Sequence, residues 1–334
     1  MSPPKLSPSG PIIVRLDGYV SPDPTFSSDF LHTYTSHNST PYENARIIEA
    51  LTGADVAVTT RVPINAEVIE ACAGTLKLIA VFAIGYDMID IEACKRFGVE
   101  VRNVKGASVE AVAEHALGFY FALRRCIVGM QNALTQTNDW VEKGSCFSHF
   151  GPHPRTLARE TIGIIGVGEL GTRVASHFRV LGSKVLLAER PSSTSIREGR
   201  TAFRETLSQS TVIIVATAST PETRNLISDA ELALLPSDAL VINIARGEVV
   251  DEKALVNALK EKRFAGAATD VYEKEPASKE TSLLIREAEG LEGRLIVSPH
   301  VAWYALASVE KLRRVTAANI EEWVRGEKGV NFVC

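Results

Sequence analysis

Short β-branched or apolar runs alternate with helix-patterned segments along nearly the whole chain, and this alternation constrains the fold more than any other feature. In the first third, Pro11 to Leu16, Asp55 to Thr59, Lys77 to Phe82 and Val99 to Val101 read as strands. Glu43 to Leu51, Asn65 to Cys72 and Ile91 to Phe97, between them, read as helices. Apolar strands joined through helices cannot pair as hairpins, so they imply a parallel sheet covered on both faces, the α/β class. A long helical stretch, Ala107 to Thr137, and a polar, aromatic and Pro-rich excursion, Asn138 to Arg155, interrupt the pattern. It then restarts with strand Thr161 to Ile165, helix Leu170 to Leu181 and strand Lys184 to Ala188. Further strands are expected at Val212 to Ala216, Ala239 to Ile244, Ala265 to Thr269 and Arg294 to Val297, before a closing helix from Ala305 to Arg325. Two runs of alternation in 334 residues predict two domains, each able to bury its own core.

Composition removes several function classes. A net charge of -4 leaves no basic footprint, so nucleic acid is not an expected partner. No run approaches the roughly 18 apolar residues of a membrane span, and the Pro/Ser-rich start has no apolar stretch of a secretory signal. Five dispersed cysteines (Cys72, Cys94, Cys126, Cys146, Cys334) form no CxxC pair, which predicts reduced thiols and a cytoplasmic protein. No His/Cys/Asp spacing resembles a metal site.

Gly166-Val-Gly168-Glu-Leu-Gly171 follows the apolar run Ile162 to Ile165 and opens a helical pattern. In such a turn the first glycine permits the tight bend, the second lets backbone approach a pyrophosphate, and the third allows close helix–sheet packing. The helix start, Glu169 and Leu170, then offers unsatisfied N–H groups to the anion. A glycine turn without a ligand shares the same letters, but an acidic residue eighteen positions past Gly171 favours the dinucleotide. That residue, Glu189, ends a predicted strand, where a carboxylate can accept from adenosine ribose hydroxyls and repel a 2′-phosphate. NAD(H) is therefore favoured, while Arg190 and the hydroxyl-rich Pro191 to Ser195 keep NADP(H) possible.

Three groups follow that suit chemistry at a carbonyl. Asn243-Ile-Ala-Arg246-Gly247 offers a permanent cation after a strand, able to bind a carboxylate bidentately. Asp270-Val-Tyr-Glu-Lys-Glu275-Pro276 and Ser298-Pro299-His300 supply a carboxylate and an imidazole, each beside a proline that stiffens its loop. A lone histidine beside proline is more often a loop residue, and Arg-Gly after a strand is more often a turn. Their order behind a dinucleotide fingerprint is what raises them to a site.

Together with Ala83-Ile84-Gly85-Tyr-Asp87, Val112-Ala-Glu-His115 and Thr220-Pro-Glu-Thr-Arg-Asn-Leu-Ile227, these motifs resemble the D-isomer-specific 2-hydroxyacid dehydrogenases, in that family's order and over nearly the whole chain. The resemblance implies two doubly wound parallel-sheet (Rossmann-like) domains with an interdomain active-site cleft. Residues 1–108 plus 302–334 would form a discontinuous substrate domain, and 109–301 the NAD-binding domain. It implies an enzyme that reduces small 2-oxo acids to D-2-hydroxy acids, and a homodimer held through the Ala107 to Thr137 region and the excursion. Arg246, Glu275 and His300 would be catalytic: Arg246 grips the substrate, His300 transfers the proton and Glu275 orients the imidazole. Gly166, Gly168, Glu169, Leu170, Gly171, Glu189, Arg190, Thr217, Ala218, Ile244, Ala245, Arg246, Asp270 and His300 would surround the coenzyme, with Asp270 at the nicotinamide carboxamide. Ile84, Gly85, Arg246, His300 and Trp303 would meet the substrate, although Trp303 fits a core aromatic equally well. Lys105 and Ala218 stand where the family commonly has proline, away from the reacting trio.

Three other readings compete, among them a phosphoglycerate dehydrogenase of the same family. NAD-sensing corepressors share the fold and turn over little. A formate-dehydrogenase-like branch typically has Gln where Glu275 stands, which counts against it. His115 reads as structural, and His149 and His153 as surface residues of the excursion.

Overall fold

The computed structural model describes residues 4, 6–150, 153–291 and 293–334; residues 1–3 and 5 of the Pro/Ser-rich start and 151–152 of the excursion lie outside them. The chain divides into two units, Met1–Ser108 with Tyr304–Cys334, and Val109–Trp303.

In the first unit, β1 (Ile12–Arg15), β2 (Thr33–Ser36), β3 (Val56–Thr59), β4 (Leu78–Val81) and β5 (Glu100–Arg102) form a parallel sheet in the order β2-β1-β3-β4-β5. The helices α1 (Asn44–Leu51), α2 (Ala66–Cys72) and α3 (Ile91–Phe97) connect them. Local chemistry sets the ends of α3: the Asp90 carboxylate accepts from Ala93 N at 2.8 Å, and Gly98 closes the helix at φ 70, a left-handed bend that glycine enters without steric cost. β3 and β4 are buried at every position, as strands covered on both faces must be.

The second unit opens with α4 (Val109–Arg124), α5 (Ile127–Gln136) and α6 (Asp139–Lys143). The single long helix expected from Ala107 to Thr137 is broken between α4 and α5, where Cys126 takes φ 50 and interrupts the helical hydrogen bonding. The sheet runs β11-β10-β9-β8-β6-β7, all parallel. Its strands are β6 (Thr161–Ile165), β7 (Lys184–Leu187), β8 (Val212–Val215), β9 (Leu240–Asn243), β10 (Gly266–Thr269) and β11 (Leu295–Val297). Interleaved are α7 (Glu169–Val180), α8 (Phe203–Gln209), α9 (Asp229–Leu232), α10 (Glu252–Lys260) and α11 (Leu283–Glu287). On one face Ala113, Ala116 and Phe119 of α4 meet Val174, Ala175 and Phe178 of α7 over Ile162, Ile164 and Ile242. Leu255, Leu259 and Phe264 fill the other face against Ile213 and Val215. Burying each such side chain contributes about 1.5–3 kcal/mol, so these two layers hold the strand ends in fixed register.

The last helix, α12 (Leu306–Val324), belongs to the first unit. Buried Arg102 donates to the Asn319 carbonyl of α12 at 2.9 Å, and Asn319 Nδ2 donates to Asn103 O at 2.8 Å. The chain ends along β5, with Val101 N donating to Cys334 O at 3.1 Å and Val333 N to Val101 O at 2.9 Å.

β2 is the strand the alternation does not announce. It is an edge strand exposed at three of its four positions, so it lacks the apolar run that marks the others.

Candidate active site

Parallel strands end on the same edge of a sheet, so in the second unit the loops leaving β6 to β11 stand side by side. Along that edge they carry His300 after β11, Asp270 and Glu275 after β10, Arg246 after β9, Thr217 and Ala218 after β8, the glycine turn after β6, and Glu189 after β7. Neighbouring strands lie about 4.8 Å apart, which puts the Arg246 loop roughly 10 Å and the Glu275 loop roughly 15 Å from the glycine turn. The chain reverses its winding direction between β6 and β8, and open α/β sheets bind ligands at such switch points.

Here the glycine turn does what its letters require. Gly166 adopts φ 93, and a Cβ there would lie 2.6 Å from Thr217 N. A Cβ on Gly171 would lie 2.0 Å from Gly166 O, so helix α7 packs onto the turn only as glycine. Around Gly168, by contrast, an added Cβ would meet nothing within 4 Å, leaving room for a phosphate against the backbone. Glu169 and Leu170 begin α7, whose N-terminal N–H groups point the same way. The cavity at this point measures about 660 Å³ and is lined by Gly166 to Gly168, Thr217, Ala218, Arg190, Ser192, Arg197 and Arg200. Bare glycine backbone, a helix start and that volume fit a dinucleotide.

The Glu189 carboxylate is engaged elsewhere. It accepts from Arg197 Nε at 2.7 Å and Nη2 at 2.5 Å, and from the backbone N–H of Arg190 at 2.8 Å and Arg197 at 3.2 Å. The hydrogen bonds from Arg197 are the main cause that holds its carboxyl down at about 2.

The groups expected to react are connected loop to loop. Arg246 extends from the end of β9, with Nη1 donating to Ala245 O at 2.8 Å, while Asn243 Nδ2 holds the Arg246 carbonyl at 3.0 Å. Ile244 N donates to Val215 O at 3.2 Å and Ala245 N to Asn243 Oδ1 at 3.1 Å, which fixes the backbone leading to the arginine. Gly247 is pressed against the next loop: a Cβ there would sit 1.8 Å from the Tyr272 carbonyl carbon. Tyr272 N in turn donates to Glu275 Oε1 at 3.0 Å, and Glu275 Oε2 is hydrogen-bonded to His300 Nδ1. Both members of that pair are about a third exposed, at 35% for His300 and 31% for Glu275, so a ligand can reach the imidazole.

His300 adopts φ 53, a left-handed conformation that costs an ordinary residue about 1–2 kcal/mol. Asp270 holds it there. Its buried carboxylate accepts from Ser298 Oγ at 2.5 Å, Val301 N at 2.9 Å and Ala302 N at 2.8 Å, and its carbonyl accepts from His300 N at 2.9 Å. On the far side, His115 Nε2 lies 3.1 Å from Ser298 Oγ. Tyr272 donates its hydroxyl to Ser298 O at 2.9 Å, and burial pushes that phenol well above its ordinary range. Half-buried Trp303 donates Nε1 to the His300 carbonyl at 3.1 Å. In the first unit, Ile84 and Gly85 follow β4, and the Ile84 carbonyl accepts from Asn103 Nδ2 at 2.7 Å. Among the described residues no three His, Cys, Asp or Glu side chains gather as a metal site, and no helix is long and apolar enough to cross a membrane.

Comparison with known proteins bears on this geometry. Residues 117–302 match the family model described as D-isomer specific 2-hydroxyacid dehydrogenase, NAD binding domain. The chain belongs to the D-isomer-specific 2-hydroxyacid dehydrogenase family. A glycerate dehydrogenase of Methylorubrum extorquens is 36% identical over 90% of this chain and 91% of its own length. A glyoxylate reductase of Pyrococcus furiosus is 32% identical over 84% of this chain and 83% of its own. Among solved structures, a D-lactate dehydrogenase of Aquifex aeolicus complexed with NAD and lactic acid superposes with TM-score 0.74 at 26% identity, covering 96% of this chain and 98% of that one. An acyclic imino acid reductase in complex with NADPH and D-Arg superposes with TM-score 0.77, also at 26% identity, over 97% and 100% of the two chains.

This dehydrogenase is thus an oxidoreductase with an NAD-binding domain in its second unit. Three of its site features escape the sequence reading: Arg197 on Glu189, the backbone wedge at Gly247, and the Asp270–Ser298–His115 chain beneath His300. Of these only Gly247 leaves a sequence signal, a glycine directly after the arginine, and that signal reads as an ordinary turn.

Proposed function

We propose that this dehydrogenase reduces small 2-oxo acids to D-2-hydroxy acids, and oxidises them in reverse, with Arg246, Glu275 and His300 as its reacting residues. The observation that carries the reading is the loop-to-loop contact in which Gly247, beside Arg246, packs on the Tyr272 backbone and Tyr272 N and His300 Nδ1 both bond to Glu275, on the sheet edge that also bears the glycine turn. The glycerate dehydrogenase and glyoxylate reductase relatives support the same substrate class.

Arg246 binds the substrate carboxylate through its planar fork and draws electron density from the adjacent carbonyl. Bound NADH supplies the hydride. His300 delivers a proton from Nε2 to the carbonyl oxygen, because Nδ1 is committed to Glu275. The Glu275 carboxylate accepts from Nδ1 and so fixes the plane and tautomer of the imidazole. Asp270 acts on the histidine's backbone, and we assign it to positioning His300. In the first unit, Ile84 and Gly85 are assigned to the substrate carboxylate and Trp303, in the second, to the pocket wall.

A homodimer is part of the same proposal. Ile127, Leu134, Trp140 and Val141 are exposed on α5 and α6, and Phe147 on the turn after them, an apolar series suited to a second copy of the chain. Five free thiols support a reducing, cytoplasmic location. The deciding experiment mixes the protein with NADH and glyoxylate, hydroxypyruvate or phenylpyruvate and follows absorbance at the nicotinamide band. Oxidation of NADH with at least one of them is expected; NADH binding with no turnover on any 2-oxo acid refutes the reductase reading.

A further inference from the structure

The residue that should exclude a 2′-phosphate is disarmed in this structure. A carboxylate has about four lone-pair positions, and all four Glu189 contacts described above are donors from Arg190 and Arg197. Its side chain is 1% exposed, whereas the Arg197 side chain that covers it is 57% exposed. What the ion pair presents outward is therefore guanidinium. Arg190 and Arg200 line the same cavity beside Arg197, with the Ser192 hydroxyl among them. Against these three cations the lining holds one carboxylate, Glu222, on the segment after β8. A site built to accept from two ribose hydroxyls would turn a carboxylate toward the cavity; this one turns a cluster of fork-shaped donors toward it. Guanidinium groups match phosphate geometry and bind it through paired, charge-assisted hydrogen bonds.

We propose that the adenosine end of this cavity binds the 2′-phosphate of NADP(H) as well as the 2′-hydroxyl of NAD(H), and that Arg197, by neutralising and covering Glu189, is the residue that determines this acceptance. The inference rests on reading the cavity as the coenzyme site. Arg197 acts twice. It removes the repulsion of Glu189, and with Arg190 and Arg200 it supplies donors to the phosphate.

Binding without turnover tests it. Dissociation constants for 5′-AMP, adenosine 2′,5′-bisphosphate, NADH and NADPH are measured by titration calorimetry at fixed ionic strength, for the parent, Arg197→Ala and Glu189→Gln proteins. In the parent, the bisphosphate is expected to bind at least as tightly as 5′-AMP, and NADPH within about tenfold of NADH. Arg197→Ala should weaken the bisphosphate by about tenfold or more while changing 5′-AMP by less than about threefold, since it removes a donor and uncovers a carboxylate. Glu189→Gln should leave the NADPH to NADH ratio within about threefold, because the charge it removes is already paired. The inference is overturned if the parent binds NADH and 5′-AMP but binds the bisphosphate over about tenfold more weakly, or if Glu189→Gln improves NADPH by about tenfold. Failure of all four ligands to bind would instead bring down the coenzyme reading of the cavity, and the inference with it.

Discussion

Replacing Asp270 by Asn separates a loop clamp from a coenzyme ligand, because the two roles fail differently. The carboxylate accepts three hydrogen bonds, from Ser298 Oγ, Val301 N and Ala302 N, at 2.5, 2.9 and 2.8 Å. Asparagine keeps one acceptor oxygen and turns an NH2 group toward the other donors, so at least one buried N–H or O–H loses its partner. Losing a charge-assisted bond in a buried setting costs about 1.5–3 kcal/mol. That is as large as the cost of about 1–2 kcal/mol for holding His300 at a left-handed φ. With the clamp weakened by about 2 kcal/mol, the 298–302 loop relaxes and the imidazole leaves its line with Glu275, and kcat should drop about thirtyfold. Steady-state kinetics with a 2-oxo acid substrate give kcat, and titration of NADH fluorescence gives the coenzyme dissociation constant, which should move by less than about threefold. Parallel losses in kcat and NADH affinity would show that Asp270 acts on the coenzyme directly, and an unchanged kcat would refute the clamp altogether.

Other substitutions probe the remaining parts. Arg246→Ala should cut kcat/KM for the 2-oxo acid by about a hundredfold or more, the worth of a bidentate charge-assisted contact, with NADH affinity nearly unchanged; equal collapse of NADH binding would make the arginine a coenzyme or structural residue. Glu275→Gln exchanges the charged acceptor of His300 Nδ1 for a neutral one, a loss of about 1 kcal/mol that should lower kcat about fivefold with NADH affinity nearly unchanged, and an unchanged kcat would remove Glu275 from the orienting role. The Glu189 carboxyl, held at about 2 rather than its ordinary 4.5, contributes stability that is present above the ordinary value and lost as pH falls toward 2. The urea midpoints of the parent and Arg197→Ala should accordingly differ by a constant amount from about pH 8 to about pH 5 and converge below that; a gap that changes within the neutral range would assign the difference to another group.

Much of this architecture is legible in the residues because a buried parallel strand has few sequence solutions. Ten strands announce themselves as short apolar runs, and the structure moves their ends by only one or two residues. The edge strand β2 does not, since Thr33 to Ser36 is mostly exposed and needs no apolar face. The break at Cys126 is equally silent: the nearest glycine, Gly129, lies inside α5, and the residue that takes the left-handed conformation is a cysteine, which carries no such local preference. At the site, motifs name the groups but not their bonds. Glu189 looks like a free ribose acceptor until Arg197, eight residues on in an irregular loop, folds back over it. His115 looks like an ordinary helix residue until the β11 loop brings Ser298 within reach. Bonds between loops depend on three-dimensional proximity that spacing along the chain does not encode.

The side-by-side strand ends of the second unit have a consequence for how such a protein can change. The interval between phosphate anchor, cation and imidazole is set by backbone pairing inside the sheet, which no side-chain replacement at the rim can stretch. The loops after β9, β10 and β11, tied to one another, must change together, whereas the turn after β7 can change without disturbing them. A scaffold of this kind lets substrate range and redox partner evolve as independent traits.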